Sequence, residues 1–213
     1  MYTEISKYCS NKNIDLVAVT KTRSIDTIQN LYNQGQHVFG ENRVQEIQEK
    51  YEALPKDIEW HMIGHLQSNK VKYIASFVSM IHSGANLSLL KEINKRASQH
   101  NRIIDVLLQI KIGKEEAKSG WNKEELIDQL TKKEIQSFQN IRIRGVMGMA
   151  TFTDDKDMVR SEFAELKSIF DQVQNFYFSD QTDFDTVSMG MSGDYKIAIE
   201  EGATMVRIGS LLF

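Results

Sequence analysis

The sequence predicts a single α/β domain folded as a (β/α)8 barrel of the TIM type, and three observations predict it. The chain has 213 residues, 41% hydrophobic and 26% charged, enough for one sizeable core and a better fit to one barrel than to two small domains. Short apolar runs alternate with amphipathic stretches about eight times, with no long linker between them. Several runs are apolar on both faces, as strands require when helices cover one side of a parallel sheet and a packed interior fills the other. An open doubly wound sheet is the competing architecture. No Gly-x-Gly-x-x-Gly follows the first run, which counts against a dinucleotide-binding version of it.

The strands are expected, in order, at Asp15–Thr20, His37–Gly40, Ile58–Gly64, Phe77–Ser83, Ile104–Ile112, Ile141–Ala150, Thr186–Gly190 and Thr204–Gly209. Helices fill the gaps. Ser24 can cap one whose inner face is Ile25, Ile28, Leu31 and Tyr32, with Gly35 ending it. Val44, Ile47, Tyr51 and Leu54 form the next stripe, closed by Pro55, and Leu87, Leu90, Ile93 and Ala97 another. Asn122 and Glu125 have capping-box spacing ahead of Leu126, Ile127 and Leu130. Phe163, Leu166, Phe170 and Val173 make the longest stripe, and Tyr195–Glu201 a short helix ended by Gly202.

Composition narrows the partners. A net charge of −3 gives no basic excess for nucleic acid or a membrane surface. No stretch approaches the roughly 18 apolar residues of a membrane helix, and the first residues lack the apolar core of a signal peptide. One cysteine, Cys9, cannot form an internal disulfide and suits a reducing compartment. The expectation is a soluble, cytoplasmic chain.

In a barrel of this kind the chemistry gathers where strands end and helices begin. Those positions hold Lys21; Glu41, Asn42 and Arg43; His65, Gln67, Ser68, Asn69 and Lys70; Gly190 to Asp194; and Arg207 to Ser210. Gly190, Ser192 and Gly193 lead into a helix, and Gly209 and Ser210 end the neighbouring strand, so the two loops suit a phosphate, although the glycines would also serve tight turns. Lys21 follows an apolar run. If buried there, its amine would be driven toward the neutral, nucleophilic form that condenses with aldehydes; otherwise it simply reaches solvent at the rim. An inward Arg207 needs an acceptor, which a pyridine ring nitrogen or a structural ion pair to Glu41 would provide. His61, His65 and His82 match no zinc spacing and read as satisfied core or rim residues. The methionines at strand ends, Met147, Met149, Met189 and Met191, read as packing residues. The charged run from Lys111 to Lys118 reads as a solvated loop.

Eight motifs occur in order: Leu16–Thr22, Phe39–Asn42, Trp60–Gly64, Leu66–Lys70, Lys118–Gly120, Arg144–Met147, Ser188–Ser192 and Met205–Gly209. Together they resemble the pyridoxal phosphate homeostasis proteins, the single-domain relatives of the alanine racemase barrel, over nearly the whole chain. The resemblance implies a fold-type III pyridoxal phosphate barrel occupying residues 1–213 as one domain. It implies an imine on Lys21 and a phosphate held by Ser192, Gly193, Gly209 and Ser210. Arg207 would face the pyridine nitrogen, Asn42 would lie near the ring hydroxyl, and Met147 joins the cofactor-contacting set. It also implies a monomeric cofactor carrier without established turnover, with pyridoxal phosphate-dependent apo-enzymes as candidate recipients. An arginine is never deprotonated, so opposite the ring nitrogen it leaves the cofactor a weak electron sink.

Three departures from the family are visible. The N-terminal helix is expected to be short or absent, the last helix position after Phe213 is expected to be thinly covered, and Lys111 stands where an asparagine is usual. Two other functions compete. A racemase or lyase would need a base opposite Lys21, with a racemase's second domain expected to be missing. An aldolase-like barrel would use Lys21 on sugar phosphates.

Overall fold

The computed structural model describes residues 1–113 and 119–213. The expected loop from Lys111 to Lys118 and the Lys118–Gly120 motif therefore fall partly on residues 114–118, outside the described residues. Eight parallel strands close into a barrel in chain order: β1 (Asp15–Val19), β2 (Val38–Glu41), β3 (Glu59–Met62), β4 (Met80–Gly84), β5 (Ile104–Gln109), β6 (Ile141–Met147), β7 (Thr186–Ser188) and β8 (Met205–Ile208). Every expected strand forms, most of them trimmed at the C-terminal end, where the backbone turns out into the mouth. The barrel is closed by β1 against β8, with Val17 opposite Arg207 and Ala18 opposite Ile208.

The surrounding helices are α1 (Tyr2–Ser10), α2 (Ile25–Tyr32), α3 (Val44–Ala53), α4 (Leu87–Gln99), α5 (Lys123–Thr131), α6 (Lys156–Tyr177) and α7 (Tyr195–Glu200). The Ser24 side chain accepts from Thr27 N, and Asn122 and Glu125 form the reciprocal capping box; each such cap contributes about 1 kcal/mol. Asn86 and Asp155 also cap α4 and α6 through their side chains. The N-terminal helix is present and short, burying Tyr2, Ile5 and Cys9. After β8 the chain turns, Leu212 N–H donating to Gly209 O, and Leu211, Leu212 and Phe213 pack on the core. A 3₁₀ turn, Ser68–Tyr73, follows β3.

Side-chain alternation splits the core into two. Ala18, Phe39, Trp60, Ile81 and Val146 face outward to the helices, and this larger cluster runs all round the barrel. Val17, Met80, Leu107, Met147 and Met205 fill the interior, with Val38, Ile63 and Met149 against them. A one-residue slip in β6 against β5, between Val106 and Leu107, leaves Gly145 at φ +149. A Cβ there would lie 1.9 Å from Thr186 O, so only glycine lets β6 and β7 meet. No helix of the described residues is long and apolar enough to cross a membrane.

Candidate functional site

The mouth of the barrel is built from the strand ends upward. Arg207 points into the interior and is 4% exposed. Its Nη1 donates to Ser188 Oγ at 2.6 Å and its Nη2 to Gly148 O at 3.1 Å. It makes no ion pair with a carboxylate among the described residues; burial pulls its guanidinium down to about 10, with the charge of Asp194 opposing the fall. The group stays charged at neutral pH. A buried cation that no carboxylate touches, and that only the through-space pull of Asp194 opposes, is costly, and an acceptor or anion brought to it would offset that cost.

Of the two acceptors open to Arg207 from sequence, the ion pair to Glu41 does not form. Glu41 is on the outer side of β2, toward α3, where Lys50 Nζ meets its Oε1 at 2.5 Å and Thr20 Oγ1 donates to the same oxygen. Burial pushes the Glu41 carboxyl up, and the bonds from Lys50 and Thr20 hold it back.

The histidines are satisfied, and they also connect to Arg207. Arginine has only donors, so Ser188 Oγ accepts from it, and the same oxygen shares a hydrogen bond with His82 Nδ1, 3.1 Å away. His82 Nε2 in turn shares a hydrogen bond with His61 Nδ1 at 3.0 Å, its direction set by the tautomers. A ring-to-ring bond needs one nitrogen without a proton, so at least one of the two rings is neutral. Burial agrees, taking His61 down to about 3 and His82 well below its ordinary range. His65 is exposed beyond β3 and takes no part.

The two phosphate-type loops lie side by side, as expected of strands seven and eight: Gly209 N–H donates to Ser192 Oγ at 3.3 Å. Gly190, at φ +89, would carry a Cβ only 2.6 Å from the Ala198 Cβ, so the tight turn requires glycine. A Cβ on Gly193 would meet nothing within 4 Å, leaving that side of the loop open. The N–H groups of Ser192, Gly193 and Ser210 have no hydrogen-bond partner among the described residues. One part of the sequence expectation changes. The helix after the loop, α7, is only six residues long, and Tyr195 N–H is already bonded to Met191 O. Asp194 Oδ1 also takes Met191 N–H at 2.6 Å. Loop amides and Ser192, rather than a helix dipole, are what an anion would meet.

Lys21 differs from one of its two sequence readings. The apolar run ends at Thr20, and the Lys21 side chain is exposed, as in the reading that takes it to solvent at the rim. It sits in a turn closed by Arg23 N–H on Thr20 O at 2.9 Å, with Thr22 at φ 63. That conformation is strained for a β-branched residue, by about 1–3 kcal/mol. Thr22 N–H is held by Glu46 Oε2 at 3.0 Å, and Thr20 O by Lys50 Nζ at 2.8 Å. Lys21 stands two residues beyond Val19, whose carbonyl would be 3.3 Å from a Cβ on Gly209, so the amine-bearing turn and the phosphate-type loops share one rim.

Asn42 is half-buried at the end of β2, and its backbone is so close to Gly64 that a Cβ there would lie 2.4 Å from Asn42 O. Met147 is 1% exposed within the interior cluster; it is a floor beneath the mouth, matching the packing reading of its residue type. Lys111 is half-buried, its N–H donating to Trp121 O.

This donor set fits a pyridine phosphate with an aldehyde: a fixed cation for the ring nitrogen, free amides and a hydroxyl for the phosphate, and an amine on the same rim. Among the described residues no group of histidine, cysteine and acidic side chains could hold a metal ion.

Residues 2–213 match the family model described as alanine racemase, N-terminal domain. A pyridoxal phosphate homeostasis protein of Aquifex aeolicus (strain VF5) is 43% identical over 203 residues, covering 93% of this chain and 85% of the relative. The protein of that name in Synechocystis sp. (strain ATCC 27184 / PCC 6803 / Kazusa) is 39% identical over 203 residues, covering 94% and 91%. Among solved structures, PipY of Synechococcus elongatus PCC7942 with PLP bound superposes with a TM-score of 0.86 at 32% identity, over 94% of this chain and 92% of that one.

Proposed function

The chain belongs to the alanine racemase N-terminal domain family and, within it, to the pyridoxal phosphate homeostasis proteins, and on that premise we propose that it binds pyridoxal 5′-phosphate and takes part in its homeostasis. It holds the cofactor without turning it over. Residues 1–213 act as one binding domain. The cofactor supplies an aldehyde that condenses with a lysine amine to an imine with loss of water, together with a ring nitrogen and a phosphate.

The observation that carries this reading is Arg207, a buried cation with no carboxylate within ion-pair distance among the described residues, at the same end of the barrel as the open amides of Ser192, Gly193 and Ser210. Lys21 provides the covalent link. Ser192, Gly193, Gly209 and Ser210 bind the phosphate, Arg207 donates to the ring nitrogen, Asn42 approaches the ring hydroxyl and Met147 supports the ring from below. The donor-only arginine keeps the ring nitrogen unprotonated, which suits storage better than carbanion chemistry. The protein works as a monomer in the cytoplasm and hands its cofactor to pyridoxal phosphate-dependent apo-enzymes. Its one cysteine is buried in α1, and burial pushes that thiol up to about 11, which suits a reducing compartment.

The test is an absorbance spectrum of the purified protein with pyridoxal 5′-phosphate, before and after borohydride, with the reduced peptide mapped. A visible band that borohydride abolishes, with the label on Lys21, supports the reading. A protein that stays colourless in excess cofactor overturns it. Release of an amino acid's α-proton at an appreciable rate, abolished by Lys21→Ala, would instead favour a racemase or lyase.

A further inference from the structure

We propose that Lys50 and Glu46, on α3, are positioning residues for Lys21, fixing the turn that presents its amine to the barrel mouth; this rests on the reading of Lys21 as the covalent attachment point. Neither residue touches the mouth. Lys50 is on the inward face of the helix, its side chain 7% exposed. It falls in the apolar stripe, three residues after Ile47 and six after Val44. A lysine is buried at such a position only if its charge and its donors are satisfied. Here Nζ has three acceptors: Glu41 Oε1 at 2.5 Å, Thr20 O at 2.8 Å and Glu46 Oε2 at 3.3 Å.

These bonds converge on the two residues flanking Lys21. Thr20 is held at its carbonyl by Lys50 and at its hydroxyl by Glu41. Thr22 is held at its N–H by Glu46. Between them Lys21 has no hydrogen bond or ion pair of its own among the described residues, and its side chain is exposed. The turn needs such clamps, because Thr22 at φ 63 would relax if left alone. Glu46 does double duty, closing Lys50's charge with one oxygen that also accepts the Thr22 amide. The backbone on both sides of the amine is therefore set from a helix rather than from the loop itself, as a precise functional group requires.

Removing Lys50 would leave the Glu41 carboxylate buried without a counter-charge and endangers folding, so Glu46, 22% exposed, is the better handle. Glu46→Ala removes the Thr22 clamp; Glu46→Gln keeps an oxygen to accept that N–H. Each full-length variant is titrated with pyridoxal 5′-phosphate and with pyridoxine 5′-phosphate, which carries an alcohol in place of the aldehyde, and its melting temperature is recorded. Glu46→Ala should weaken the aldehyde ligand by about fivefold, the worth of one hydrogen bond, and slow the appearance of the borohydride-reducible band. Binding of the alcohol should be unchanged, and Glu46→Gln should restore most of the loss. Equal weakening of both ligands, or no weakening of either, overturns the positioning role. The wild-type peptide map separates the two ideas: a label on a lysine other than Lys21 defeats the attachment reading itself, whereas a label on Lys21 leaves the Glu46 result to decide the positioning role alone.

Discussion

The two ends of this barrel handle charge in opposite ways. At the N-terminal end of the strands, Asp105 on β5 receives Arg142 through two bonds of 2.7 and 3.0 Å and Arg144 at 3.0 Å. Arg144 reaches on to Asp185 at 3.0 Å and to Asp183 O at 2.7 Å. These pairs tie β5 and β6 to the segment entering β7. At the other end, Arg207 has no carboxylate, three loop amides have no partner among the described residues, and Lys21 is exposed. The first end spends its polar groups on itself and contributes stability. The second leaves donors open, and open donors are what a ligand recognises.

The sharpest way to break that contrast is at Lys21. Lys21→Ala should abolish the borohydride-trapped link completely while leaving the melting temperature of the ligand-free protein unchanged; a residual trapped adduct on another lysine would mean that the mouth is not organised around this residue. Next comes Arg207→Met, expected to weaken pyridoxal 5′-phosphate by about 10- to 100-fold, the range of a hydrogen bond from a charged donor. Burying that cation is costly even with the pull of the Asp194 charge, which offsets the loss of its bonds to Ser188 and Gly148, so the ligand-free protein should lose little stability, which denaturant titration would check.

The polar chain below Arg207 gives a pH test. His61 and His82 are held neutral in the fold, so their folded-state values lie below the unfolded value of about 6.5. The unfolded chain therefore binds more protons as pH falls. Stability is fully present above about pH 6.5 and is lost below it, at up to about 1.4 kcal/mol per pH unit for each ring. For His61 the window extends down to about 3. Unfolding free energies between pH 7 and 5 that do not fall would contradict the neutral chain. The smallest effect is expected at the closed end. Arg144→Met should cost about 1–2 kcal/mol, since its partners are partly exposed, and should leave cofactor affinity untouched. A loss of affinity there would erase the distinction between the ends.

Much of the fold was legible because it depends on local pattern. Eight apolar runs, several of them two-sided, announced eight strands, and Ser24 and the Asn122–Glu125 pair announced their helices. Asn86 and Asp155 cap just as well, but one is followed by a stripe already noted and the other stands eight residues before Phe163, so neither stood out. The rim positions of Lys21, Ser192, Gly209 and Arg207 were legible too, since strand ends fix them. The partner of Glu41 was not. Sequence reading left Glu41 open as one alternative partner for Arg207, but strand alternation turns one to the helix layer and the other to the interior. Lys50 left a faint signal, a lysine on an otherwise apolar stripe, which in most helices reaches solvent by its length.

The sequence by itself determined the barrel, the rim where chemistry would gather and the family, because periodicity, strand ends and ordered motifs are properties of residues near one another in the chain. Only the tertiary structure decided that Lys21 is exposed rather than buried, that Arg207 hangs from a serine–histidine chain rather than a carboxylate, and that a lysine from α3 braces the turn. Those outcomes depend on which way each side chain faces once eight strands close, and on which charge reaches a partner first. Closure of the ring, not any local preference, sets both.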